Sequence, residues 1–426
     1  MQTLKLIIPG SYYDSQIYSG RLYLWSTDNS ILTLDWDQLV GSINVPDRLK
    51  LAMICGFQRS EYLYGDHWGL IFQDEEIKAS IQRKFEDLAE KPLELDQEQL
   101  RKFCIREQDN PLPFPHADST IYYNTLYVGS PSGIVATRCD RKSRTPVNPK
   151  PNKIWDGPTL GLTAAYSTLA ISAGSVGLLE YSLKPDQPDS RGLAYDYLAH
   201  RCREPHLVVE QHSNSARWLY ASTFSSSYFN EGYLADFANE EVPDPMYSGS
   251  YLADSAHVED RSGGRKWRQR VLSQVIPSST LFGHPTRNGA PSLTWGVHDK
   301  ICFATTELVE IVQYHPYTEG DKRFTRLGTV QTEKLGDIIS ADSALFGFVI
   351  EGDKGLLVIN SLMESMWLPN EPVNWRVFPK SKFYTNQLHI IYADHLCILS
   401  FNHDYFVDQK TKMVGIRYPK QFPRRG

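Results

Sequence analysis

One pattern constrains this chain more than any other. An apolar strand, a short polar turn of Gly, Asp, Ser or Asn, and a second apolar strand recur along its length. Copies occupy residues 19–34, 123–137, 166–181, 215–237, 298–313, 342–359 and 385–401. An anchor in each copy (Leu22, Leu126, Leu169, Leu219, Ile301, Leu345 and Leu388) gives spacings of 104, 43, 50, 82, 44 and 43 residues. Short apolar runs bounded by turn residues read as strands, and strands at regular spacing point to an all-β architecture. The 24 tyrosines and nine tryptophans suit that reading, because aromatic side chains pack well on a pleated surface.

Four of the six spacings lie near the ~40–50 residues of one four-stranded propeller blade. On period and strand pattern the chain resembles a degenerate, WD-repeat-like β-propeller. The resemblance implies an all-β fold: a single propeller over residues 1–426, with seven blades from seven copies and six or eight as alternatives. Trp36-Asp37 falls about where a blade's third strand closes in WD repeats, but the other copies end differently and the Gly-His partner is missing. The resemblance is therefore to an architecture.

The two double spacings call for insertions or decayed blades. Residues 74–104 read as a helical insertion. Ile77, Ile81, Phe85 and Leu88 form one stripe at helical period, Pro92 stops the run, and Asp96 with Gln99 makes a capping box for a second short helix. Residues 239–292, rich in Ser, Gly, Pro and Asp, read as a long loop insertion, of the kind that is either functional or disordered. At its centre Arg261, Arg265, Lys266, Trp267, Arg268 and Arg270 form a basic cluster around one aromatic ring. Such a cluster suits a nucleic-acid base or a protein pocket, and equally a solvated loop whose Trp packs back on the body. Residues 223–233 and 246–254, rich in Tyr and Ser, have the composition of adaptable contact surfaces.

Charge is segregated. Fifty acidic against 44 basic residues give −6, yet residues 138–153, 261–270 and 410–426 together hold 17 bases and one acid, leaving −22 on the rest. An acidic body with basic loops and a basic C-terminal tail, 410–426, is unlike a general nucleic-acid binder. Local patches can still meet an anionic partner.

No phosphate loop, dinucleotide fingerprint, HExxH or nucleophile elbow is present. The pairs Asp66-His67, His298-Asp299, Asp394-His395 and His403-Asp404 stand out, but strand neighbours point to opposite faces. The six cysteines are scattered, which argues against a disulfide framework or zinc site and for a reducing compartment. No apolar run approaches the ~20 residues of a membrane helix, and residues 1–14 do not read as a signal peptide.

The expectation is a non-catalytic scaffold or adaptor, a cytoplasmic complex subunit that binds protein partners without cofactor or metal. The alternatives are a nucleic-acid-contacting accessory subunit, using the basic loop and tail, and a propeller hydrolase or lyase with a His/carboxylate centre at the channel mouth.

Overall fold

The computed structural model describes residues 1–65, 74–139, 147–166, 168–183, 205–220, 223–228, 231–243, 257–259, 265–282, 292–297, 299–315, 318, 320–332, 334–407 and 412–414. The strands gather into seven small sheets. The first holds Tyr12–Tyr18, Arg21–Ser26, Ser30–Asp35 and Cys104–Asp109. The second holds Asp118–Tyr122, Thr125–Ser130, Gly133–Arg138 and Asn152–Trp155. Gly161–Ala165, Thr168–Ser172, Leu178–Ser182 and His206–Val209 form the third. The fourth has Ser215–Tyr220, Thr223–Tyr228, Glu231–Pro243, Arg265–Pro277 and His257–Glu259. The fifth consists of Ser292–Val297, Lys300–Thr305, Leu308–Tyr314 and Phe324–Gln331, and the sixth of Ile338–Ala344, Gly347–Gly352, Gly355–Asn360 and Ser365–Pro369.

The last sheet draws on both ends of the described chain. Asn374–Val377, Gln387–Ile391 and His395–Phe401 are joined by Thr3–Pro9, which pairs antiparallel from Thr3 opposite Phe401 to Pro9 opposite His395. The short strand Leu93–Glu94 adds to its outer edge in parallel. The first strand of each sheet touches the first strand of the next, and Asn374–Val377 returns to Tyr12–Tyr18. The arrangement is a β-propeller of at least six blades.

The repeats visible in the sequence are, in six of the seven copies, the second and third strands of a sheet. These strands are covered on both faces by neighbouring sheets, so they read as continuous apolar runs. Gly355–Asn360 and Gln387–Ile391 are buried at every position. All seven anchors are buried to 1% exposure or less. Fourth strands such as Phe324–Gln331 are mostly half-buried or exposed and carry no such signal.

Neither double spacing is filled by a further sheet among the described residues. The first is a helical insertion between the third and fourth strands of the first sheet. It comprises Trp36–Gly41, Lys50–Phe57, Glu61–Tyr64, Glu75–Ala89 and Gln97–Lys102. The expected helices are there, with Asp74 capping Glu75–Ala89 and a capping box at Asp96 and Gln99. Ile81, Phe85 and Leu88 are buried, while Ile77 is 36% exposed. The insertion starts much earlier than residue 74, however. Lys50–Phe57 (KLAMICGF) is apolar nearly all round, so it carries no amphipathic period. It packs on the last sheet so closely that a Cβ on Gly56 would meet Leu4 at 2.6 Å.

The second double spacing corrects the expectation of a long loop over 239–292. Glu231–Pro243 and Arg265–Pro277 are 13-residue antiparallel strands in register from Tyr233–Pro277 to Pro243–Lys266. The short helix Ser278–Phe282 follows. The backbone register sets residue 241 opposite residue 268 and residue 242 opposite residue 267. The turn-forming composition belongs mainly to residues 244–264, most of which lie outside the described residues.

No helix among the described residues is long and apolar enough to cross a membrane. The described cysteines, Cys55, Cys104, Cys139, Cys302 and Cys397, are free.

Candidate functional site: a central cavity with two cation clusters

The first strands surround a cavity of about 1320 Å³ at the centre of the ring. Small-molecule pockets are commonly ~300–1,000 Å³, so this space also admits a peptide segment. Tyr123 and Tyr166, in turns that leave first strands, are 57% and 51% exposed. Both hold left-handed backbone, with φ of 46° and 51°. Bulky residues rarely adopt that conformation, and it costs roughly 1–3 kcal/mol. At the starts of first strands Leu160 and Ile339 are also exposed on the cavity.

First and second strands of the first, second and sixth sheets are joined by two residues, whereas the last sheet uses nine, 378–386. Phe378, Pro379, Lys380, Ser381, Lys382 and Phe383 from this connection line the cavity. The helical insertion braces it. Ser60 N–H donates to the Phe383 carbonyl at 3.0 Å, the Arg59 guanidinium lies 4.6 Å over the Phe383 ring, and Lys382 pairs with Glu61 at 3.0 Å. Gly20 N–H donates to the Tyr384 hydroxyl at 2.8 Å, tying the connection to the first sheet.

The first cation cluster centres on Arg376. Its Nε and Nη2 grip both oxygens of Asp14 at 2.8 Å, and its Nη1 contacts Asp118. Bidentate charge-assisted bonds of this kind are the strong ones. Asp14 is fully buried and accepts six hydrogen bonds. Besides Arg376 these come from Ser15 N–H (2.8 Å), Asn374 Nδ2 (3.2 Å), Ser119 Oγ (2.7 Å) and His116 Nε2 (2.7 Å). Burial alone would raise the Asp14 carboxyl, but Arg376 and His116 outweigh it and hold it well below the usual carboxylate range. An ionised carboxylate only accepts, so His116 donates from Nε2.

Beside this cluster, Gln387 donates from Nε2 to the carbonyls of Phe57 and Gly56 at 2.9 and 3.3 Å. Its Oε1 therefore accepts from His389 Nε2 at 3.2 Å, and His389 Nδ1 accepts from Ser15 Oγ at 3.1 Å. Burial lowers this imidazole to about 3, against the opposing pull of Asp14. The group joins the first, second and last sheets where the ring closes, and the acceptor positions of Asp14 are spent on protein donors.

The second cluster lies across the same cavity. Arg217 of the fourth sheet pairs through Nε with Asp342 of the sixth at 3.0 Å. Lys380 reaches toward them from the nine-residue connection, its Nζ 6.0 Å from the Trp218 ring. Tyr166 meets Trp218 edge-on at 5.5 Å. Lys380 is exposed on the cavity, with protein crowded around its ammonium. Desolvation lowers its ammonium to about 7, with Asp342 opposing the shift and Arg217 adding to it.

Of the basic cluster expected from the sequence, Arg261 lies outside the described residues. Arg265, Lys266, Trp267, Arg268 and Arg270 begin the strand Arg265–Pro277 and are thus on regular backbone, not on a flexible loop. In the basic tail, Lys412 is buried in an ion pair with Asp404 instead of being solvated, because the chain folds back onto the helix His403–Phe406. Lys410, Arg417, Lys420, Arg424 and Arg425 lie outside the described residues. Of the four His–Asp neighbours, Asp394 and His395 pair at 2.7 Å, and neither lines the cavity. His403 and Asp404 share a short helix, and Asp66, His67 and His298 lie outside the described residues. Among the described residues no three His, Cys, Asp or Glu side chains are grouped to hold a metal.

Sequence reasoning missed the cavity residues. One signal was available: an Asp-Ser pair shortly before or at the start of the apolar hairpin, at Asp14-Ser15, Asp118-Ser119 and Asp342-Ser343. Each Asp accepts the next backbone N–H at 2.7–2.8 Å, and Asn374 does the same for Trp375.

No family model matches the chain, and no curated protein matches it. Solved structures similar to it include the AfRom2 CNH domain, at 11% identity and a TM-score of 0.33, over 67% of this chain and 94% of that one. The computationally designed Ika8 protein aligns at 8% identity and a TM-score of 0.42, over 94% of this chain and 100% of that one.

Proposed function

We propose that the chain is a non-catalytic, seven-bladed propeller scaffold that holds a protein partner at its central cavity, as a subunit of a cytoplasmic complex. The observation that carries this reading is the concentration of exposed apolar side chains on one concave surface. Tyr123, Leu160, Tyr166 and Ile339 all line the cavity. Exposed apolar surface in a concave site marks a binding region. Seven sheets, each with its first strand against the next, support the blade count. The saturation of Asp14 speaks for a structural role of the buried His116–Asp14 pair. The described cysteines are free, and four of the five are buried, with Cys55 pushed up to about 12 by burial, which suits a reducing compartment. The strand bearing Arg265, Lys266, Trp267, Arg268 and Arg270, with Arg261, is a second contact surface that we assign to the same assembly.

The test is affinity purification of the full chain from its native host, with and without nuclease, beside the double variant Tyr123→Ala/Tyr166→Ala. A stoichiometric protein that survives nuclease and is lost from the variant is the expected result. Retention of the same partner by the variant would exclude the cavity, and partners lost on digestion would move the function to the basic strand.

A further inference from the structure

One cation on the cavity is left without an ion pair. Three carboxylates line it: Asp118, Asp342 and Glu351. Asp118 is taken by Arg376, and its other oxygen accepts Leu162 N–H at 2.8 Å. Glu351 accepts from Ser340 Oγ at 2.6 Å and Trp375 Nε1 at 2.9 Å. Asp342 accepts Ser343 N–H at 2.7 Å and pairs with Arg217. Of the cations, Arg376 and Arg217 are matched to these groups, and Lys382 is matched to Glu61. Lys380 remains. Among the described residues its ammonium has no hydrogen bond or ion pair, only the Trp218 face 6.0 Å away.

Resting on the reading of the cavity as the partner site, we propose that Lys380, beside Arg217, receives one carboxylate of an acidic peptide segment inserted by the partner. One uncompensated cation matches one singly charged carboxylate. The Tyr166–Trp218 pair forms the aromatic wall beside it, where the apolar part of the same segment packs. The cavity is large enough for several residues of extended chain. The cation is also already in place, because Arg59, Ser60 and Glu61 hold the connection that carries it. A site fixed before binding loses less affinity to ordering. Desolvation that disfavours the lone ammonium is relieved when a carboxylate arrives, so the site gains most from an anionic partner.

The probe is a displayed library of random twelve-residue peptides, selected on the purified full chain and on Lys380→Met, with Lys380→Arg as the conservative control. Wild type and Lys380→Arg should enrich peptides carrying Asp or Glu next to aromatic or aliphatic residues. Lys380→Met should still select peptides but lose the acidic preference, and should bind the wild-type winners about tenfold more weakly, as expected for a lost charge-assisted bond. Winners without acidic residues, or acidic winners that bind Lys380→Met equally well, would overturn the carboxylate assignment and leave the cavity as partner site. No enrichment at all, or winners indifferent to Tyr123→Ala/Tyr166→Ala, would overturn both.

Discussion

Two cation–carboxylate clusters face one cavity and have opposite fates. Around Arg376, one guanidinium meets two carboxylates, and Asp14 alone accepts six hydrogen bonds. Around Lys380, Arg217 takes the single carboxylate of Asp342, and Lys380 has no ion pair among the described residues. The first is closed: every strong acceptor position is filled from within the chain, and its members come from the first, second and last sheets. It behaves as a clasp across the seam of the ring. The second is open by one charge and set in a mobile type of element, a long connection, which the helical insertion has made rigid. Charged residues in a channel are therefore not evidence of a binding site by themselves. What separates a clasp from a receptor is whether the donors and acceptors are already spent.

That distinction can be broken in order of size. Replacing Arg376 with Met strips the partner from Asp14 and Asp118, and an uncompensated buried carboxylate costs roughly 3–5 kcal/mol. Urea unfolding should show this loss. A change below about 1 kcal/mol would mean the clasp contributes little. Next comes acid. His389 is neutral in the folded chain because its pKa lies near 3, whereas an unfolded His takes its proton near 6.5. Between those values the unfolded state binds more protons, so stability falls as pH falls from 6.5 toward 3. One proton limits the slope to about 1.4 kcal/mol per pH unit. Asp14 adds its loss only at the usual carboxylate range and below, and the Asp404 carboxyl, raised by burial, acts in the opposite sense, so it is the comparison with a His389 variant that isolates the imidazole. His389→Asn should flatten the curve there, and an unchanged curve would reassign the proton.

The smallest expected effect is at the open cluster. Lys380→Met should unfold within about 0.5 kcal/mol of wild type near pH 7, the range of a substitution outside the packed core. Above pH 7 the two should diverge. The folded Lys380 ionises near 7 and the unfolded one near 10.5, so between these values the unfolded chain holds the extra proton, and wild-type stability gains with rising pH. Lys380→Met lacks that gain. A large loss at pH 7 would place Lys380 with Arg376 as structural.

Legibility in the sequence followed burial. Second and third strands such as Lys300–Thr305 lie between sheets and must be apolar on both faces, so the repeat was visible. Glu75–Ala89 was visible because it is two-sided. Lys50–Phe57 was not, since a helix with no polar face has no period to detect. The hairpin Glu231–Pro243 with Arg265–Pro277 was hidden because its charged residues suggest a solvated loop, and the backbone register that joins the two strands leaves no local pattern. The cavity was least legible. Its first strands carry polar residues whose partners lie far away in the chain, as with Asp14 and Arg376, 362 positions apart. No local pattern encodes such a pairing. Lys380 sits in a connection whose unusual length shows only once the strands on either side are known.

The borrowed strand Thr3–Pro9 has a consequence for synthesis. Its antiparallel partner, His395–Phe401, leaves the ribosome almost 390 residues later, a wait of roughly 20–80 s at ~5–20 residues per second. An apolar strand left unpaired for that long is a template for aggregation. Leu93–Glu94 pairs with its opposite edge, and Glu75–Ala89 packs against it, and both follow the strand closely in the chain. The helical insertion is thus placed to shelter the strand, as an internal chaperone would, until the ring can close on it.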